Sequence, residues 1–115
     1  MKQGKREYSR VEVSWSVTML TSKKLIIGKI KNISVGGALI SCQELPSPEE
    51  TLELQIEITD LSYVSASVEN VRINVDNSHG DSITYDLAVS FTEMTEDDRR
   101  MLYNAIELET RKKED

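Results

Sequence analysis

The stretch "VEVSWSVTM", residues 11–19, decides the fold class. Val11, Val13, Trp15, Val17 and Met19 alternate with Glu12, Ser14, Ser16 and Thr18. A period of two puts successive side chains on opposite faces of an extended chain. The stretch therefore reads as a strand with one buried face, and Trp15 belongs to that face. The pattern repeats along the chain. "TSKK", residues 21–24, is a turn, and residues 25–33 form a second strand rich in β-branched side chains. "SVGG", residues 34–37, breaks it, and residues 38–42 make a short third strand. "ELPSPEE", residues 44–50, is a loop, because two prolines cannot serve a central ladder. Leu52, Leu54, Ile56 and Ile58 then alternate with Glu53, Gln55, Glu57 and Thr59, which puts Glu53 and Glu57 on the solvent face of a fourth strand.

The fifth strand carries a phase shift. Val64, Ala66 and Val68 keep one parity; Val71, Ile73 and Val75 keep the other. A bulge at Glu69 and Asn70 would let both halves face the core, since a one-residue slip otherwise turns every side chain over. "DNSHGDS", residues 76–82, is a polar turn, and Ile83, Tyr85, Leu87, Val89 and Phe91 mark a sixth strand. The period changes at "TEDD". Thr95 is placed as an N-cap with Asp98 in a capping-box position, acids lie in the first turn, and Arg111, Lys112 and Lys113 lie in the last. Met101, Leu102, Ala105 and Ile106 form an apolar face, with Leu108 at its edge. The expected architecture is all-β in the main: a small barrel of six antiparallel strands, then one C-terminal helix over about residues 95–112. That helix can plug one barrel end or pair with another protein.

Composition bounds the function. The 115 residues suggest one domain, soluble and globular at 38% hydrophobic and 30% charged. No apolar run nears the roughly 20 residues of a membrane span, and residues 1–10 lack a signal-peptide apolar core. Cys42, the single cysteine, reads as a small core residue. These features favour the cytoplasm. The charge of -6 is uneven: residues 1–31 hold eight Lys/Arg against two Glu, and residues 32–115 hold six against eighteen acids. An acidic body repels a long polyanion, so DNA and RNA are not expected partners, whereas a small anion needs only a local positive site. Lys2, Lys5, Lys23 and Lys24 read as solubilising charges. His79 stands alone, Met94 and Met101 read as packing, and no phosphate loop, nucleophile elbow or zinc pattern occurs. No enzymatic activity and no metal or other cofactor is expected.

Two short motifs remain. Arg6 and Arg10 make an R-x-x-x-R in "KREYSR", on a basic lead-in (residues 1–10) expected to be flexible. Asn32, Ser34 and Gly37 make an N-x-S-x-x-G in "KNISVGGALI". Either alone reads as ordinary surface and turn chemistry. Their placement joins them, because the start of strand one and the end of strand two lie at the same end of an antiparallel pair. Guanidinium groups bind phosphate bidentately and stack on flat bases. Asn32 offers donors and acceptors, Ser34 a hydroxyl, and Gly36 and Gly37 a positive φ and close backbone approach. The set suits a small anion with phosphates and purines.

"REYSR" followed by "NISVGG" resembles the PilZ domain family, bacterial receptors for cyclic di-GMP (c-di-GMP). "YDLAVSFTEM", residues 85–94, also resembles that family's last strand. The resemblance spans nearly the whole chain and implies a single PilZ-type barrel over residues 11–115. It implies that Arg6 and Arg10 clasp the ligand's phosphates and guanines, Asn32 meets a guanine edge or orients the arginines, Ser34 bonds the ligand, and Gly37 keeps the turn beneath it. Lys5 occupies the position that in the family influences whether one ligand or an intercalated pair binds. Asparagine replaces the family's commoner aspartate at residue 32. The implied function is c-di-GMP reception and signalling to an unidentified downstream protein. An interaction adaptor of the same fold, with weak or no nucleotide binding, is the alternative. A single-stranded nucleic-acid binder ranks last, since aromatics total only 5%.

Overall fold

The alternation of residues 11–19 becomes β1 (Val11–Leu20) in the computed structural model, which describes residues 10–46, 52–59, 61–80 and 82–114. β2 (Leu25–Ser34), β3 (Gly37–Cys42), β4 (Leu52–Thr59), β5 (Ser62–His79) and β6 (Ser82–Glu93) follow, and then α1 (Glu96–Glu114). The strands close into an antiparallel barrel in the order β1-β2-β3-β6-β5-β4. β6 thus inserts between β3 and β5, so the chain after β3 must cross to β4 on the far side; residues 47–51 of that crossing lie outside the described residues.

The inward parities meet in one apolar cluster. Met19, Ile30, Ile33, Ile40, Leu54, Ile56 and Leu87 are fully buried there, and Trp15 and Phe91 are half-buried against it. Each such side chain stabilises the fold by about 1.5–3 kcal/mol. Cys42 is buried as expected, and burial pushes its thiol above the ordinary range, so it stays protonated and packs as an apolar group. Glu53 and Glu57 are exposed, also as expected. Among the described residues no helix is long and apolar enough to cross a membrane, and no group of three or more His, Cys, Asp or Glu side chains could hold a metal ion.

The helix starts where its cap predicts. The Thr95 hydroxyl accepts the Asp98 backbone N–H at 3.1 Å, and the Thr95 carbonyl accepts the Arg99 N–H at 2.9 Å. The Asp98 carboxylate does not return to the cap. It accepts the Ser65 backbone N–H at 3.1 Å and so ties the first turn to β5. Leu102, Ala105 and Ile106 are buried, with Leu102 and Ile106 joining the core cluster. Met101, expected to pack, is 38% exposed instead, because it lies about 100° around the helix from Leu102, at the edge of the buried stripe.

β5 differs from expectation in a more instructive way. The bulge exists: four residues of β5 from Glu69 to Arg72 face three of β6, from Ser90 to Ala88. It keeps Val71, Ile73 and Val75 on the core-side parity, opposite the face of Arg72 and Asn74. Yet these three are 37%, 47% and 59% exposed, and Ile83 across the hairpin is 52% exposed. Here β5 has run past its pairing with β4, which among the described residues ends at Val68, so this face has little to pack on. The expected seven-residue turn is shorter as well. The strands run to His79 and from Ser82, leaving Gly80 at φ 72° in the turn.

Candidate ligand-binding site

β1 and β2 bring the two motifs together. Val11 pairs with Ile33 and Glu12 with Asn32, so Arg10 sits beside the end of β2. The Arg10 Nη1 donates to Asn32 Oδ1 at 2.8 Å, across 22 residues of sequence. Arg10 is exposed, Asn32 half-buried. Arg6 and Lys5 lie outside the described residues.

A bulge aims Asn32. Ile26 and Ile30 share one parity and are buried, so an unbroken strand would turn Asn32 inward as well. Between Ile30 and Asn32 the β2 chain takes one residue more than β3, whose partners are the adjacent Ile40 and Leu39. Lys31 is that extra residue. It lets Ile33 return to the core and turns Asn32 outward beside Arg10. Lys31 itself reaches over β3 to Asp86, Nζ to Oδ2 3.3 Å. β1 carries a matching irregularity between Glu12 and Trp15.

The turn below is built from the second motif. Ser34 pairs with Gly37, leaving Val35 and Gly36 as the loop. The Ser34 hydroxyl is buried with its residue and accepts the Gly36 N–H at 3.1 Å. The Gly36 carbonyl accepts the Phe91 N–H at 3.0 Å, which pins the turn to β6. A Cβ on Gly37 would lie 2.4 Å from the Val89 carbonyl oxygen, so only glycine permits β3 and β6 to approach here. The expectation of positive φ at Gly36 and Gly37 is corrected: among the described glycines only Gly80 has it. Gly37 is required by a close approach rather than by its backbone angles.

Sequence reasoning missed the shelf beside Asn32. Leu39 on β3 pairs with Asn32 and, on its other side, with Ala88 on β6. Both are half-buried on the outer face, giving a flat apolar surface level with Asn32. The signal was present, since Leu39 and Ala88 are apolar residues on the solvent parity of their strands. An open cleft of about 480 Å³ lies elsewhere, between β4, β5, the end of β6 and the start of α1. Its lining includes Glu53, Glu93 and Asp98 against Arg99 alone, which disfavours an anion.

The PilZ domain family model matches residues 4–108. Among solved structures, the Bacillus subtilis inhibitor of motility MotI/DgrA is similar at 19% identity and TM-score 0.71, covering 90% of this chain and 50% of that one. The PilZ domain of Escherichia coli YcgR with c-di-GMP is similar at 14% identity and TM-score 0.67, covering 95% and 94%. The K. pneumonia MrkH–c-di-GMP complex is similar at 18% identity and TM-score 0.62, covering 91% and 50%. The chain thus spans about half the length of MotI/DgrA and MrkH, and nearly all of the YcgR domain. A search of curated proteins found no match. At these identities the structures share the fold, and two of them carry c-di-GMP. With the family model covering most of its length, the chain belongs to the PilZ domain family.

Proposed function

We propose that this chain is a c-di-GMP receptor that holds the dinucleotide against the outer face of the barrel at Arg10, Asn32, Ser34, Gly36 and Gly37, with Arg6 closing over it from the lead-in. The observation that carries this reading is the 2.8 Å hydrogen bond from Arg10 to Asn32, which joins the two motifs at one rim. In the free protein Asn32 holds the Arg10 guanidinium there, ready for a phosphate. The apolar shelf of Leu39 and Ala88 offers a base a flat surface, and the acidic remainder of the chain leaves this rim as the favoured landing place for a dianion. Lys5 tunes how many ligands bind. No chemistry is performed on the nucleotide: the bound form differs from the free form at its surface, and a downstream protein with different affinities for the two reads it. Calorimetric titration with c-di-GMP is the test. Wild type is expected to bind at micromolar affinity, and Arg6→Ala and Arg10→Ala each to weaken binding at least tenfold, about 1.4 kcal/mol. No heat from wild type at tens of micromolar protein defeats the proposal.

A second reading has its own observation. Met101 and Leu108, seven residues apart on α1, are 38% and 56% exposed beside the buried stripe. Residues so spaced share one helix face. An adaptor that docks a partner there, with or without nucleotide, is supported if Leu108→Asp abolishes partner capture while c-di-GMP leaves it unchanged.

A further inference from the structure

An acid borders the rim proposed to hold an anion. Asp86 precedes the fully buried Leu87 on β6, so it lies on the outer face, two residues from Ala88. Across the ladder it pairs with Ser41 of β3. A carboxylate there repels phosphate. Lys31 offsets that charge: its Nζ donates to Asp86 Oδ1 at 3.4 Å and to Oδ2 at 3.3 Å. The reach comes from the bulge, which makes Lys31 the extra residue of β2. The pair therefore crosses β3 at the level of Ser41 and closes one end of the Leu39–Ala88 shelf. The other end, at Gly37 and its partner Ser90, carries no bulky side chain. The Lys31 and Asp86 side chains are 45% and 19% exposed, so both can take a further bond from solvent or ligand.

The pair carries the hydrogen-bond pattern of guanine in reverse. Along its Watson–Crick edge guanine sets one acceptor, O6, beside two donors, N1–H and N2–H. An ammonium donates to the acceptor, and a carboxylate accepts from both donors. Adenine has an amino donor in place of O6 and a bare N1, so it meets Lys31 with a donor and Asp86 with an acceptor. A base lying flat on Leu39 and Ala88 has Asp86 one same-face step away along β6, roughly 7 Å between Cα atoms. An aspartate side chain and a hydrogen bond together bridge from there to the edge of the ring. We propose that Lys31 and Asp86 are a guanine-reading pair at the end of the shelf, with Asp86 accepting the N1–H and N2–H of the base and Lys31 donating to its O6. Hydrogen bonds to charged groups are the stronger kind, and the ammonium spares the ligand the repulsion of a bare acid. The inference rests on the receptor reading and names residues that set its base specificity. c-di-GMP carries two guanines, and this pair serves the one on the shelf.

Calorimetric titration with c-di-GMP and with its inosine analogue, which lacks only the 2-amino groups, reads this directly. Wild type is expected to prefer c-di-GMP about tenfold, because a site built to hydrogen-bond a group rejects the analogue without it. Asp86→Ala is expected to weaken c-di-GMP and to shrink that preference about fivefold. Lys31→Met faces the O6 that both ligands share, and is expected to weaken both alike, about tenfold. If Asp86→Ala weakens the two ligands equally and leaves the preference intact, the pair only braces the strands. The inference is then overturned while the receptor reading stands. A wild type that binds both ligands equally well overturns it in the same way. A wild type that binds no c-di-GMP overturns the receptor reading itself, and this inference with it. Should Asp86→Ala lose the wild-type circular dichroism, Asp86→Asn replaces it. Its amide keeps one acceptor and sets a donor against the other N–H, and an unchanged preference there equally overturns the inference.

Discussion

The β2–β3 and β5–β6 hairpins are written in similar sequence. Both alternate apolar and polar residues, both carry glycine in a short turn, and both contain a bulge. They differ in what flanks them. β1 and β6 lie on either side of β2–β3, and Ile30, Ile33 and Ile40 are 0% exposed. Among the described residues, β5 beyond its bulge has a strand on one side only, and Ile73 is 47% exposed although its direct partner, Leu87, is fully buried. Periodicity states which way a side chain points. Burial depends on a neighbour arriving there, and that neighbour comes from elsewhere in the chain.

Truncation should break the comparison most sharply. Ile40→Ala opens a cavity among packed strands and is expected to cost about 2–5 kcal/mol. Ile73→Ala removes the same atoms from the half-covered hairpin and is expected to cost under about 1 kcal/mol. Urea denaturation of both checks this. Equal losses would mean that this hairpin is covered after all. The two turns should separate next. Gly37→Ala drives a Cβ into the backbone carbonyl of Val89 and is expected to cost about 3 kcal/mol, the upper end for overpacking. Gly80→Ala meets nothing within 4 Å, so its cost is the backbone penalty at φ 72°, about 1 kcal/mol. A smaller loss at Gly37 than at Gly80 would contradict the role of close approach.

The same contrast explains what the sequence made legible. The six strands and the helix start follow from local periods and one cap, so each appeared close to its true place. The bulge near Glu69 was legible because it separates two clean runs of three apolar residues. The one at Lys31 was not, because Ile26, Ile27, Ile30 and Ile33 supply apolar side chains on both parities and mask the phase change. That hidden bulge is what turns Asn32 toward Arg10. The meeting of Arg10 with Asn32 was nevertheless foreseeable from antiparallel geometry alone. The shelf of Leu39 and Ala88 depends on β6 lying beside β3, a crossover that no local pattern encodes. Exposure of Met101 depends in the same way on the rotation at which α1 docks.

The smallest expected effect concerns the rim itself. Asn32→Asp turns a hydrogen bond between an ion and a neutral group into an ion pair with Arg10. Arg10 is exposed, so the gain in stability is expected to be about 0.5 kcal/mol at low salt. It should vanish near 1 M salt, where the screening length is about 3 Å. Thermal unfolding at the two salt levels reads the difference. Nucleotide binding supplies the sharper arm. Hydrogen bonds to a charged group are worth about 1.5–3 kcal/mol against about 1 for neutral ones. If residue 32 contacts a guanine edge, the variant should therefore bind c-di-GMP more tightly, by up to about tenfold. If affinity is unchanged while the salt-dependent stability appears, Asn32 serves the site only by holding Arg10. The functional weight of the β2–β3 hairpin then rests on Ser34 and on the turn that Gly37 allows.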